Sequence, residues 1–441
     1  MRALVANGRF RRLFAAQVVA LVGTGLTTVA LGLLAYDLAG RRAALVLGAA
    51  LAVKMIAYVV VSPVVGAVAD RVPRRRIMVA ADLVRAAVVL VLPWVSQVWQ
   101  VYLLIAVLQA ASAAFTPVFQ SVLPDVVPDE EDYTRALSAS QVAGSMENVL
   151  SPLLAAAALA VTTYSALFVG TAAGFLGSAA LVLGTAVPVG QRAQGRFAER
   201  LSLGLRLFRS TPQLRGLLAL NLVVAATGAI SLVTTVNVVR DLLGAGESAV
   251  GLLLAVAGAG TATAAVCTPA VRRRLTDRSV MLAGAALAVT ATAAALLLAA
   301  APSWSLAVVA WALIGFGPGW ITVSTGRVLR GSSGPAQRPS LFSAQFSLSH
   351  ACWLLTYPLT GWLTSSAGFG AAWGVLGVLA VAGAGAAVAL WPVRGGDLVR
   401  HRHDDDSAHL HLAGARRAGR GWTHAHRVVV DGDHPHGPVP A

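Results

Sequence analysis

Charge is what this sequence has least of. Only 12% of its 441 residues are Asp, Glu, Lys or Arg, against 57% hydrophobic, and the mean hydropathy is +0.72. Soluble domains carry roughly a quarter charged residues. The shortage excludes a water-soluble globule, a disordered chain and a fibre, and leaves a polytopic membrane protein. Cysteine is nearly missing too. Cys267 and Cys352 lie far apart inside apolar runs, which excludes a disulfide framework. Lysine occurs once, as Lys54. With no Gly-x-x-x-x-Gly-Lys-Ser/Thr loop, ATP-driven pumping by this chain alone is not expected, nor is any enzyme activity. The net charge of +15 comes from 34 basic and 19 acidic residues. In a membrane protein it describes loops lying against anionic lipid, and no nucleic-acid partner is implied.

A spanning helix needs roughly 20 mostly apolar residues. Such runs occur at 13–36, 43–67, 77–96, 99–122, 136–160, 164–187, 214–238, 248–271, 279–300, 303–325, 340–363 and 369–392. The predicted fold is an all-α membrane protein with twelve transmembrane helices. Arginines gather before span 1 and at the 2–3, 6–7, 8–9 and 10–11 joints, while the 3–4, 5–6, 9–10 and 11–12 joints carry no Lys or Arg. The positive-inside rule then predicts a cytoplasmic-membrane protein with both termini cytoplasmic. Arg41 and Arg42 depart from the pattern, and the 4–5 joint is acidic. Trp94, Trp99 and Trp304 at span ends fit interface anchors.

Two halves are visible. A shift of 204 places Arg11 on Arg215, Leu13 on Leu217, Gln17 on Asn221 and Asp37-Leu38-x-Gly40 on Asp241-Leu242-x-Gly244. Ser62-Pro63 pairs with Thr268-Pro269 at nearly the same offset. The expected organisation is a six-helix bundle over 1–187, a linker over 188–212, a second bundle over 213–392 and a tail over 393–441. In the linker, Phe197, Leu201, Leu205 and Phe208 recur at helical spacing between arginines, which predicts an amphipathic helix on the inner leaflet. Duplicated bundles place a substrate path at their interface.

Twelve spans in two halves, with Gly66-x-x-x-Asp70-Arg71-x-x-Arg74-Arg75 at the 2–3 joint, resemble the major facilitator superfamily over residues 1–392. The resemblance implies two pseudo-symmetric six-helix bundles working by alternating access. Arg11-Arg12, Asp37-Leu38 and Asp82-x-x-Arg85-Ala86 resemble its siderophore and macrolide exporters. It also implies that Asp82 and Arg85 latch to the Asp70 loop.

Ionisable residues inside spans are costly and usually functional or paired. Lys54 lies near the middle of span 2, and lysine, unlike arginine, can lose its proton when desolvated. Glu147, followed by Asn148, lies mid-span 5 and is a candidate to carry a coupling proton, ligate a cation or pair with Lys54. Gln17, Gln109, Asn221 and Asn237 are candidate cavity polars or interhelical hydrogen-bonding residues. His350 and Cys352 in span 11 offer metal-ligand chemistry, against an ordinary packing role.

The other eight histidines fall into four His-x-His pairs in the tail: His401 and His403, His409 and His411, His424 and His426, and His434 and His436. In extended chain, residues i and i+2 point the same way, so each pair offers two nitrogens to one ion. The tail is otherwise polar and is expected to be disordered. Such a tail on this body resembles the nickel-resistance exporters of the superfamily, as do Phe115-Thr116-Pro117 and Tyr133–Ser138 running on to Pro152. The expected function is proton-driven efflux of Ni²⁺ or Co²⁺ by a monomer among membrane lipids. No cofactor is required, and the metal is substrate or tail ligand. The alternatives are export of a small organic compound, and a membrane metal sensor or buffer that does not translocate.

Overall fold

The computed structural model describes residues 7–68, 72–127, 129–187, 197–333, 338–391, 398–403, 416–418 and 421–427. The first half holds α1 (Gly8–Ala39), α2 (Ala43–Val68), α3 (Arg74–Val91), α4 (Val98–Val126), α5 (Glu130–Leu159) and α6 (Tyr164–Leu183). A connecting helix follows, α7 (Phe197–Ser210). The second half holds α8 (Pro212–Asn237), α9 (Glu247–Val271), α10 (Asp277–Ala300), α11 (Trp304–Gly331) and α12 (Arg338–Leu390). The 53 residues of α12 would reach about 80 Å as one straight rod. Gly368, at φ 82°, breaks it into two helices. Among the described residues the body is then twelve long helices besides α7, and it is an all-helical membrane body.

Apolar segments fold as helices here because hydrocarbon offers no hydrogen bonds, so each segment must satisfy its own backbone. The ends are set by local chemistry. Asn7 accepts from the amides of Arg9 and Phe10 at the start of α1, and Thr276 and Ser303 cap α10 and α11 in the same way. The repeat-related Gly40 and Gly244 both take positive φ, 53° and 64°, where the chain turns after α1 and α8. Large apolar side chains such as Val266, Val169 and Val378 stand exposed on the outside, as a lipid-facing surface requires. Inside, Trp311 and Trp373 pack edge to face, and the Trp311 indole donates to Thr235 Oγ1 at 2.8 Å.

An even number of spans places both ends of the body on one side, called here the terminal face; the opposite side is the distal face. The halves meet along two seams, α2 against α12 and α5 against α9.

Within α7, Leu207 and Phe208 are buried and join the cluster of Leu214 and Leu217, while Leu205 is exposed. The tail, expected to lack regular structure, forms a small antiparallel sheet of β1 (Leu398–His403), β2 (Arg416–Ala418) and β3 (Gly421–Arg427) in the order β1-β3-β2. Alternating β-branched, aromatic and basic residues suit such pairing. His401 is registered with His424 and Val399 with His426.

Candidate transport site

Lys54 lines a pocket of about 20 Å³ inside the first half, with room for about one water-sized group. Four helices build it. α1 supplies Thr24, Thr27 and Thr28, α2 supplies Lys54, α4 supplies Gln109 and Ser112, and α6 supplies Phe175. The pocket wall holds no Asp, Glu, His or Cys among the described residues. Every lining hydroxyl donates to a carbonyl of its own helix: Thr24 to Ala20 at 2.9 Å, Thr27 to Gly23 at 3.1 Å, Thr28 to Thr24 at 3.1 Å and Ser112 to Leu108 at 3.0 Å. Thr27 Oγ1 also lies 3.2 Å from Thr171 Oγ1, which ties α1 to α6 beside the pocket. Gln109 is 92% buried, at 8% exposure, and its Oε1 has no partner among the described residues.

Beside the pocket lies a buried ion pair. Asp82 and Arg85 are 0% and 4% exposed and bond directly to each other. The guanidinium sits 4.5 Å from the ring centroids of both Phe115 and Phe175, so aromatic faces replace water around it. Phe175 also lines the Lys54 pocket, which makes the ion pair a backing wall for it. Asp82 and Arg85 lie over two turns inside α3. The joint arginines nearer its start bind elsewhere: Arg74 pairs with Asp125 at 2.7 Å, and Arg75 donates to the Leu183 carbonyl. Asp70 and Arg71 lie outside the described residues, and Gly66 falls in the last turn of α2.

Across the α2–α12 seam, Tyr58 stands 5.7 Å from the His350 ring and 6.0 Å from Phe346. His350 Nδ1 lies 2.7 Å from the Phe346 carbonyl, which can only accept, so Nδ1 carries the proton and Nε2 the lone pair. Cys352 does not join it. Residues i and i+2 on a helix face apart, and no group of three or more His, Cys, Asp or Glu converges among the described residues. Asn221 is held in a reciprocal amide pair with Gln345 at 3.1 and 3.0 Å, tying α8 to α12 within the second half. Gln17 Oε1 is buried without a partner among the described residues. The side chains of Glu147 and Asn148 lie outside the described ones, as do those of all eight tail histidines; His409, His411, His434 and His436 fall wholly outside.

The distal face is sealed. Tyr36 Oη donates to Asp241 Oδ1 at 2.5 Å, Asn237 donates to Asp241 Oδ2 at 2.8 Å and to the Arg41 carbonyl at 3.4 Å, and Arg240 stacks over Tyr36 at 5.3 Å. At the 204-residue offset, Tyr36 and Arg240 are equivalent positions, so the seal joins one repeat to its own counterpart. Glycines bring the helices together there. A Cβ at Gly48 would lie 2.5 Å from the Tyr357 carbonyl oxygen, one at Gly32 2.9 Å from Val236, and one at Gly251 2.8 Å from the Ala156 nitrogen. Between described residues, the hydrogen bonds that cross from half to half are all at this face.

The terminal face is tied within each half instead. Arg12 donates to the Gly184 carbonyl at 2.6 Å and Arg278 to the Trp391 carbonyl at 2.6 Å, each closing the end of its half's sixth span. Arg278 stands 204 residues after Arg74. Asp277 takes Arg272 at 2.7 Å and Arg327 at 3.3 Å. The halves are therefore two self-tied bodies, clamped distally and free of mutual hydrogen bonds between described residues at the other end.

The distal latch and the threonine ladder escaped the sequence reading. The Asp37/Asp241 repeat was their one available signal.

The family model described as the Major Facilitator Superfamily matches residues 13–293 and 218–430. Macrolide efflux protein A of Streptococcus pyogenes is 30% identical over 224 residues, 49% of this chain and 54% of its own length. The uncharacterized MFS-type transporter YfiS of Bacillus subtilis is 29% identical over 225 residues, 50% of this chain and 53% of its own length. The chain thus spans about half the length of the curated relatives it matches. Among solved structures, the nucleoside transporter NupG superposes with a TM-score of 0.69 at 14% identity, covering 87% of this chain and 99% of that one, a likeness of fold. With two repeat-related halves, a shared distal seal and a family match running through nearly all of the membrane body, this chain belongs to the major facilitator superfamily.

Proposed function

We propose that the protein exports a small organic solute from the cytoplasm by alternating access. The carrying observation is the Lys54 pocket beneath a sealed distal face, lined among the described residues by hydroxyls, the Gln109 amide and Lys54. Such a wall suits the polar head of an organic molecule, and the α2–α12 seam beside it offers Tyr58 and Phe346 to an apolar body. Arginines concentrated on the terminal face support its assignment as cytoplasmic. The half-length similarity to a macrolide efflux protein supports the direction of transport.

A second reading, export of nickel or cobalt, is favoured by the tail sheet. Its register pairs His401 of β1 with His424 of β3, and Val399 with His426. Expression in an efflux-deficient bacterial host separates the two. The wild type should lower cell-associated lipophilic organic probes, and truncation after about residue 393 should leave that unchanged. A fall in cell nickel or cobalt with every organic probe unmoved would refute the organic reading and establish the metal one.

A further inference from the structure

We propose that His350 is the hydrogen-bond acceptor that selects the solute, and that it selects neutral aromatic molecules with an O–H or N–H at the ring edge. The inference rests on the organic-export reading and names the substrate class. α2 and α12 run antiparallel along their seam, since contacts that advance along α2 fall back along α12. At the distal end Gly361 meets Ala44 and Gly48 meets Tyr357, backbone against backbone. Further from that end the partners are Tyr58 with His350 and Phe346, at ring separations of 5.7 and 6.0 Å. The seam thus passes from glycine contact to an aromatic stretch shared by both halves. An aromatic body is matched to it, because ring edges and faces attract one another.

His350 presents a defined edge there. Its Nδ1 lies 2.7 Å from the Phe346 carbonyl of its own helix and 3.4 Å from Ser349 Oγ. The carbonyl only accepts, so Nδ1 holds the proton, and Nε2 on the other side of the ring holds the lone pair. The Phe346 ring covers one imidazole face, with centroids 3.9 Å apart. A lone pair lies in the ring plane, so this stacking does not occupy it. An acceptor fixed in half-buried aromatic surroundings rewards a donor and penalises a solute without one. The donor could be an ammonium or a neutral O–H or N–H, and Lys54 decides between them. Its charge reaches the imidazole, so a second cation at Nε2 would be repelled, whereas a neutral donor would not. Tyr58 belongs to one half and His350 to the other. The rocking that opens the Gly48 crossing therefore draws apart the two sides of the site and loosens its hold on the solute.

The test uses full-length protein in nanodiscs, with binding to empty nanodiscs subtracted. Three radiolabelled probes share one body: 4-hydroxybiphenyl, 4-methoxybiphenyl and 4-(aminomethyl)biphenyl, a cation at neutral pH. The wild type should bind the hydroxyl probe about tenfold more tightly than either of the others. His350→Phe keeps a stacked ring and removes the acceptor. It should bring the hydroxyl and methoxy probes to within about twofold of each other, with the methoxy affinity unchanged as the sign of an intact site. If His350→Phe loses both probes, His350→Gln decides, because its amide oxygen can reach the Nε2 position: a retained hydroxyl preference supports the proposal and a lost one overturns it. His350→Phe with the full hydroxyl preference also overturns it, as does a wild type that binds the ammonium probe as tightly as the hydroxyl one. A wild type that exports the hydroxyl and methoxy probes from loaded cells and binds them alike ends the proposal and leaves organic export standing. If it exports no organic probe, the underlying reading fails.

Discussion

Gly48 offers the most direct handle on the conformational cycle. Its missing side chain lets α2 press on α12, where an added Cβ would fall 2.5 Å from the Tyr357 carbonyl oxygen and 3.3 Å from the carbonyl carbon. Comfortable contact begins at about 3.4 Å, so Gly48→Leu requires the helices to part by roughly 1 Å at the distal seam. Overpacking in a closed contact costs about 1–3 kcal/mol. The strain is relieved when the distal face opens, so it falls on the closed state alone. At 1.4 kcal/mol per factor of ten, the open-to-closed ratio should rise by about 5- to 150-fold. Spin labels at Val161 and Gly246, on distal loops of opposite halves, would read this in protein whose two native cysteines are replaced. The expected result is a longer distance distribution and slower export. Labels that report an unchanged distal distance, with normal export, would refute the reading of this crossing as the gate.

Tyr36→Phe removes the hydroxyl that bonds Asp241 while keeping the ring beneath Arg240. Because the site is exposed, the shift should be about three- to tenfold toward distal opening, measured with the same labels. Asp82→Asn strips a buried arginine of its counter-charge and should destabilise the first half by about 3–5 kcal/mol, seen as a lower thermal midpoint in detergent. The double change Asp82→Leu with Arg85→Met should recover much of that loss, and failure to recover would show that the pair does more than neutralise itself. Asn221→Leu breaks an amide pair in the second half and should lower thermal stability by about 1 kcal/mol without moving the distal distance.

The fold was legible because its cause is coarse. Apolar length, arginine placement and a repeat offset all survive in a linear string, and Asp37-Leu38-x-Gly40 with its later counterpart marks two turns that share a positive-φ glycine. Lys54 was legible through rarity. Which of Leu205 and Leu207 is covered was not, because both are equally apolar and only packing against α12 decides it. The bonds from Arg75 to Leu183 and from Arg12 to Gly184 were hidden for a different reason: a backbone carbonyl has no sequence identity. The Tyr36–Asp241 latch spans 205 residues and involves side chains whose partners depend on how two bundles meet. Asp125 lies on a joint that the sequence marks only as acidic, and its pairing with Arg74 needs the fold to be seen.

That the sole lysine of the sequence borders the pocket also makes the protein unusually simple to interrogate spectroscopically. Reductive ¹³C-methylation would place its lysine signal at one position alone, in the wall of that pocket. Chemical shift would then report the ionisation of that amine, linewidth its exchange with incoming solute, and loss of reactivity its occlusion, all from a single resonance with no engineered label.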